Sequence, residues 1–481
     1  MSVEEKEAQT ESPPLFNYLR EEIPLEDMRD YSSPERIVSL DFVKGFAIVF
    51  IMLAHCSSAW LDNEWRHIYG LVYTALDILG PSLFIFLSAL SVIFSIKRKK
   101  GKLPEKVIRN RILSRGLTII LIGVLYNLIS IEATIGDVPF PLNLWGWNIL
   151  MFIGFSQIFS YYAMKLGKLA RIAIGLIIIY SAEELRMILY LNKDTNLIYG
   201  IFHFIVTSPA PSITLVPWLA ICFISTIFGE MLYEAMIKGT DQAYRHLFRR
   251  FLAWGIFLIV IGVYFGYQLQ TPATMPGGTA EYPHLSLLHT MNQQEWIHYP
   301  GMPLFLIRGT ASNMFYNLGA ALTIIAICFY LIDIKKIDNN FTSMLNYYGK
   351  ISLSLFLLHY PFLPVFIAAF NMVFYPFIVL AFIGFMGIML YIWMEYGNGV
   401  GTPEWFMIQI GRIGQKTGEE VKKSSKKVAE TAKKTYSKTE DFLRKIGYSI
   451  KEENQKLKEK TKKKQSRNNN PHKDATGQQK E

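Results

Sequence analysis

Cysteine is scarce in this sequence: Cys56, Cys222 and Cys328 are the only three among 481 residues. Each lies inside an apolar run and none has a paired spacing, which excludes a disulfide scaffold and any cysteine-based metal site. Charge is scarce too, at 18% of residues, against 51% apolar residues that include 33 Phe, 26 Tyr and 9 Trp. A soluble chain of this length divides into two to four domains. Here the apolar residues fall in unbroken runs of about twenty, long enough to cross a ~30 Å hydrocarbon core as a helix. The mean hydropathy of +0.22 is modest because both ends of the chain are polar. A basic-then-apolar leader is also missing. The first 36 residues carry 10 Asp/Glu against 4 Lys/Arg, so no cleaved signal peptide is expected. Nor is there an internal repeat of the kind transporter halves show.

The net charge of +10 sits at one end. Residues 412–481 hold 21 Lys/Arg against 10 Asp/Glu, while the rest of the chain holds 28 against 29. A basic run behind a membrane domain meets anionic lipid on the cytoplasmic leaflet rather than nucleic acid. The chain therefore reads as three parts: an acidic polar segment over 1–35, a transmembrane domain over 36–410 and a basic cytoplasmic tail over 411–481. The tail is either an amphipathic surface helix or disordered.

The expected fold is all-α, a polytopic membrane helix bundle of about ten transmembrane helices. The apolar runs are roughly 37–59, 68–96, 116–131, 145–164, 169–190, 213–236, 251–270, 312–333, 351–371 and 373–396. Loop charges agree with that count, because short cytoplasmic loops collect Lys and Arg. Alternate connections (97–115, 165–171, 237–250 and 334–350) hold 19 Lys/Arg, and the loops of the other set hold four. Both termini are then cytoplasmic. The outer connections 191–212 and 271–311, rich in Pro, Gly, His and aromatics, suit either a lid or plain covering loops.

Charged groups inside a span are costly, so each invites a functional reading. The first span carries Asp41, Lys44 and His55. At about 100° per residue, Lys44 and His55 share a helix face, some 16 Å apart, with Asp41 on the same side. An interfacial Asp41–Lys44 ion pair with a packing histidine would explain the same residues. The second span adds His67 at its outer start and Asp77 about ten residues deeper, mid-span, where a carboxylate could orient an imidazole base. A helix-stabilising role for Asp77 is equally compatible. His359 lies in the ninth span, in a position typical of a hydrogen-bonded core histidine.

The run Arg36–His55 resembles the opening of the transmembrane acyltransferase superfamily, which includes the acyltransferase-3 and heparan-α-glucosaminide N-acetyltransferase families. Asp41, Lys44–Gly45 and His55 fit its acidic, basic-Gly and His spacing. Gly80–Leu90, Arg115 with Gly123, Trp147–Ser156, Leu215–Glu230 and Tyr347–Phe362 are similar to later stretches, in matching order over about 36–410. In the glucosaminide branch the catalytic His precedes an Asp by ten residues, as His67 precedes Asp77, with Pro81 following. This sequence departs from the pattern at Lys44, usually Arg, at Ala89, usually Gly, and at Phe152, where some relatives place Arg.

The resemblance implies a multi-pass membrane acyltransferase of the O- or N-acetyl type, expected in the plasma membrane. Its donor would be cytoplasmic acyl-CoA (acetyl-CoA) and its acceptor a glycan or lipid-headgroup amine or hydroxyl at the outer face. No metal is expected. His55, His67, Asp77 and Asp41 are the candidate catalytic residues, Lys44, Arg111 and Arg115 the candidate donor-binding cations, and His359 a candidate acceptor contact. Polyphosphate recognition needs such cations, although basic loops also serve topology alone. The competing class is a transporter or flippase without transfer chemistry.

Overall fold

The apolar runs fold as helices. The computed structural model describes residues 37–62, 76–99, 104–135, 140–207, 214–270 and 302–405, with 65, 72 and 407 and without 398. All of these lie within one unit, Met1–Gly414. In chain order the helices are α1 (Val38–Trp60), α2 (Pro81–Lys99), α3 (Glu105–Ile135), α4 (Ile149–Ala163), α5 (Lys168–Asn192), α6 (Leu197–Thr207), α7 (Leu215–Lys238) and α8 (Asp241–Gly266). A two-residue antiparallel pair, β1 (Leu269–Gln270) with β2 (Met302–Pro303), precedes α9 (Ala311–Phe329). One π-helical turn, Tyr330–Ile334, extends α9. Then come α10 (Asn340–Lys350), α11 (Ser352–Leu358), a 3-10 segment Tyr360–Phe366 and α12 (Tyr375–Tyr396).

Among the described residues, six helices are long and apolar enough to cross a membrane: α1, Glu105–Leu128 of α3, α7, α8, Ala311–Ile334 and α12. The bent pair Asn340–Lys350 and Ser352–Phe366, at 74° to each other, makes a seventh if it is one span. About ten were expected, and the difference has physical causes. The 145–164 run yields only the 15 residues of α4, about 22 Å at 1.5 Å per residue and short of a full crossing. The 68–96 run lies partly outside the described residues, which include an apolar helix over Ser82–Phe94. The 169–190 run becomes α5, long enough but interrupted by Arg171, Glu183, Glu184 and Arg186. The 351–371 run breaks at Ile351 and again around Pro361 and Pro364, because proline removes a helical donor and crowds the preceding turn.

These helices are apolar on both sides, which marks a bundle set in hydrocarbon. Leu117, Leu121 and Leu125 form an exposed stripe at one-turn spacing on α3, and Phe377, Leu380 and Ile388 do the same work on α12. Inward, Trp60, Phe86, Phe152, Trp218 and Phe251 are buried. Small residues set the closest crossings, as they do between membrane helices generally. A side chain on Gly45 would collide with the Leu345 carbonyl, and one on Gly349 with the Asp41 carbonyl, so α1 and α10 touch backbone to backbone.

Both ends of α1 are fixed from elsewhere in the chain. Its N-terminal N–H groups lack a local cap; Val38 and Ser39 donate instead to the two carboxylate oxygens of Asp333, at 3.1 and 3.2 Å. That satisfies donors that would otherwise be orphaned. At the other end, Ala368 N–H donates to Ala59 O, Phe370 N–H to Trp60 O and Asp62 N–H to Phe370 O. Trp60 Nε1 donates to Leu363 O at 2.9 Å, and Tyr375 Oη to Leu53 O at 2.7 Å. The C-terminal third of α1 is thereby strapped to the stretch that follows α11.

Candidate functional site

That strapping brings together two histidines 304 positions apart in sequence. His55 Nδ1 lies 2.9 Å from His359 Nε2, with the ring planes inclined by 21°. His359 Nδ1 lies 3.0 Å from the Leu355 carbonyl oxygen, one turn back on α11. A carbonyl only accepts, so His359 Nδ1 carries the proton and, in the neutral ring, Nε2 is the acceptor. His55 Nδ1 must then donate. By elimination, Nε2 of neutral His55 is left without a proton and holds an available lone pair. The pair thus has the geometry of a base whose tautomer is set by a second ring, in the way a carboxylate orients the imidazole of a hydrolase triad.

Aromatic side chains wall this centre. Tyr360 stands edge-on to His55 at 5.5 Å and Phe356 at 6.4 Å between ring centroids. Tyr126 of α3 packs on both, at 5.0 Å from Tyr360 and 5.3 Å from Phe356. His359 is buried, whereas His55 keeps partial access. This combination of a fixed inner ring and a reachable outer one suits proton transfer at His55. Arg308, between β2 and α9, is near enough for its charge to act on His55. The turn carrying it is braced by α5: Arg186 donates to Gly309 O at 3.0 Å, and Ala311 N–H donates to Glu183 Oε1 at 3.0 Å. Gly309 has φ +86°, and a side chain there would meet Arg186, so this turn requires glycine.

The other candidates fall in different places. Asp41 is buried where α1 crosses α10, fourteen residues before His55, about 21 Å along the helix axis. Lys44 is half-buried on the next turn. Arg111 and Arg115 stand one turn apart on α3, Arg115 exposed and Arg111 half-buried. His67 lies outside the described residues. The backbone of Asp77 opens a 3-10 turn, Asp77–Leu79, which packs on α1 and α2; its side chain also lies outside them. So do the acidic N-terminal segment, residues 271–301 of the outer connection and the basic tail. Among the described residues no three His, Cys, Asp or Glu side chains gather around one point.

A second polar centre forms where the last turns of α2 and α7 meet the start of α5. Arg171, 2% exposed, donates to Glu230 Oε2 and Thr226 Oγ1, both at 2.9 Å. Lys97 and Lys168 approach the same carboxylate at 3.5 and 3.8 Å, and Lys168 also reaches Glu234 at 3.8 Å. Sequence reasoning had placed these bases in connecting loops as topology signals. It also missed the pairing of His359 with His55, for which a His-Pro-adjacent position at the end of an apolar run was the only available sign.

Comparison with known families gives a match over residues 36–268, to the family model described as heparan-alpha-glucosaminide N-acetyltransferase, catalytic. Over that stretch, which contains Asp41, Lys44, His55, His67, Asp77, Arg111 and Arg115, the resemblance seen in the sequence holds. Together with the apolar helices it points to an integral membrane protein that is similar, over those residues, to the catalytic part of that acetyltransferase family. His359, the partner of His55, lies beyond the matched residues. Comparison with the curated proteins gives no match.

Proposed function

We propose that this protein transfers an acetyl group from acetyl-CoA, bound on the cytoplasmic side, to an amine or hydroxyl of a glycan or lipid headgroup at the outer face. The observation that carries this reading is the His55–His359 contact. His55 Nε2 takes the proton from the acceptor N–H or O–H as the acceptor attacks the thioester carbonyl. The carbon–sulfur bond then breaks, and the proton held on Nε2 goes to the departing thiolate of CoA. An acetyl group carried transiently on Nε2 satisfies the same geometry. His359 holds the tautomer and accepts from Nδ1 when His55 becomes positively charged.

In this reading Lys44, Arg111 and Arg115 face the CoA phosphates, with Asp41 beside Lys44 at the donor end. His67 and Asp77 are the alternative base and orienting carboxylate suggested by the family spacing. Both termini are cytoplasmic, about ten segments lie in the plasma membrane, and the basic tail meets anionic lipid. The test is transfer of labelled acetyl from acetyl-CoA by the purified protein in lipid nanodiscs, with amine- and hydroxyl-bearing glycan and lipid acceptors. Acceptor-dependent loss of acetyl-CoA supports the assignment. A protein that moves such an acceptor across vesicles without consuming donor would instead be a carrier. For the topology, single cysteines at Thr279 and Ser466 in a cysteine-free background should label from opposite sides with an impermeant reagent; labelling from one side would overturn it.

A further inference from the structure

The His359 end of the dyad hangs on a short element. α11 has seven residues and meets α10 at the 74° bend, so α10 does not continue into it as a brace. Its anchor comes from beyond the last long helix. After α12 the chain turns back through Gly399 and Gly401, both at positive φ, and Trp393 Nε1 ties this return to Val400 O at 3.0 Å. Thr402 is buried and donates to Gly399 O. Glu404 then reaches α11, where its Oε1 accepts from Ser354 N–H at 2.9 Å and its Oε2 from the Ser354 hydroxyl. Ser354 is buried. The next residue is Leu355, whose carbonyl receives His359 Nδ1–H.

We propose that Glu404 is a positioning residue for the histidine pair: by holding the first turn of α11 it sets the Leu355 carbonyl, and through that carbonyl the tautomer and direction of His359 and His55. The relay is Glu404 to Ser354, along one residue of backbone to Leu355, then to His359 and His55, with no group outside this chain required. A carboxylate suits the place because its two oxygens accept from a backbone N–H and a hydroxyl at once, a geometry one donor alone would not fix. It also makes the return segment after α12 part of the site's support, although it touches no substrate. The inference rests on the proposed role of His55 as base, and displacements of about 1 Å in supporting groups are enough to cost up to about a hundredfold in rate.

The test compares Glu404→Gln, Glu404→Leu and Ser354→Ala in full-length protein in nanodiscs, with acetyl transfer, the donor KM and the histidine 15N spectrum as readouts. Glu404→Gln keeps an acceptor for the backbone N–H and should stay within about twofold of wild type. Glu404→Leu should lower kcat between about tenfold and a hundredfold at unchanged donor KM, and should change the 15N signals of His55 and His359. Ser354→Ala, which preserves the backbone bond and the fold, should fall between the two and decides the matter if the Leu variant does not fold. Wild-type kcat and an unchanged 15N spectrum in Glu404→Leu or Ser354→Ala would overturn the inference, as would an equal loss in Glu404→Gln. A wild-type protein that shows no transfer would count against the function itself, while the 15N comparison would still read the relay.

Discussion

Two polar centres are buried in this bundle, and they satisfy their polar atoms in contrasting ways. Around Glu230 the charges answer one another: one carboxylate takes Arg171, Lys97 and Lys168, and Thr226 accepts a second guanidinium N–H. Of the guanidinium nitrogens only the buried Nε lacks a partner among the described residues. At His55 the bonds form an open chain, from Leu355 O through His359 to His55, whose last nitrogen has no hydrogen-bond partner among the described residues. A closed network stores stability and offers nothing to a reactant. An open chain holds a basic lone pair in a fixed direction. Burial alone therefore does not single out a candidate site; an unfinished hydrogen-bond chain does.

The comparison can be broken from either end. Glu230→Leu leaves Arg171 buried and unpaired and should cost about 3–5 kcal/mol, while the double variant Arg171→Met with Glu230→Leu should recover most of that loss. Thermal unfolding in nanodiscs measures both, and transfer per folded molecule should stay unchanged. If the single variant is as stable as wild type, the cluster is not the closed network described. His359→Gln acts on the open chain. It should leave unfolding nearly untouched and lower kcat by about 10², the lower range for loss of acid–base assistance. Equal kcat in that variant would return His359 to a packing role.

Two smaller effects sharpen the contrast. Lys168 is 54% exposed, and Lys168→Ala should change stability by less than about 1 kcal/mol, as exposed pairs do. A larger loss would show that the whole cluster, and not its Arg171–Glu230 centre, carries the stability. Glu404 titrates outside the spans, and burial raises its carboxyl above the ordinary range despite the bonds from Ser354. Between the ordinary value and the raised one, the folded protein holds a proton that the unfolded chain has released. Stability is then fully present below that window and falls as pH rises through it. Glu404→Gln should flatten that part of the stability profile; an unaltered slope would show that Glu404 is not the group that titrates there.

What the sequence made legible follows the range of the interactions. The membrane class and α1 rest on local apolar runs, and the resemblance over the matched stretch rests on short motifs with local spacings, in order along several helices. The His55–His359 contact joins residues on two elements far apart in the chain, and no periodicity within either run announces it. Among the described residues the clear crossings number six or seven, and they fall short of ten where composition and geometry part company. α5 is helical throughout, yet Glu183 and Arg186 are there to brace the Gly309 turn and take the run below the apolarity of a clear span. The ninth run is apolar enough but breaks at Ile351, where α10 is pinned against α1 by the paired glycines and α11 must start in a new direction. Lys97, Lys168 and Arg171 were read as loop charges because the carboxylate that gathers them sits on another helix.

The central claim is that His55, fixed by His359, is the base. It is tested most directly by measuring kcat for acetyl transfer in His55→Asn and His67→Asn side by side, with acetyl-CoA binding measured on the same preparations. The account predicts that His55→Asn binds donor normally and loses about 10²–10⁴ in kcat, while His67→Asn keeps most of its rate. Full activity in His55→Asn with the loss moved to His67→Asn would contradict it and place the chemistry at His67 and Asp77.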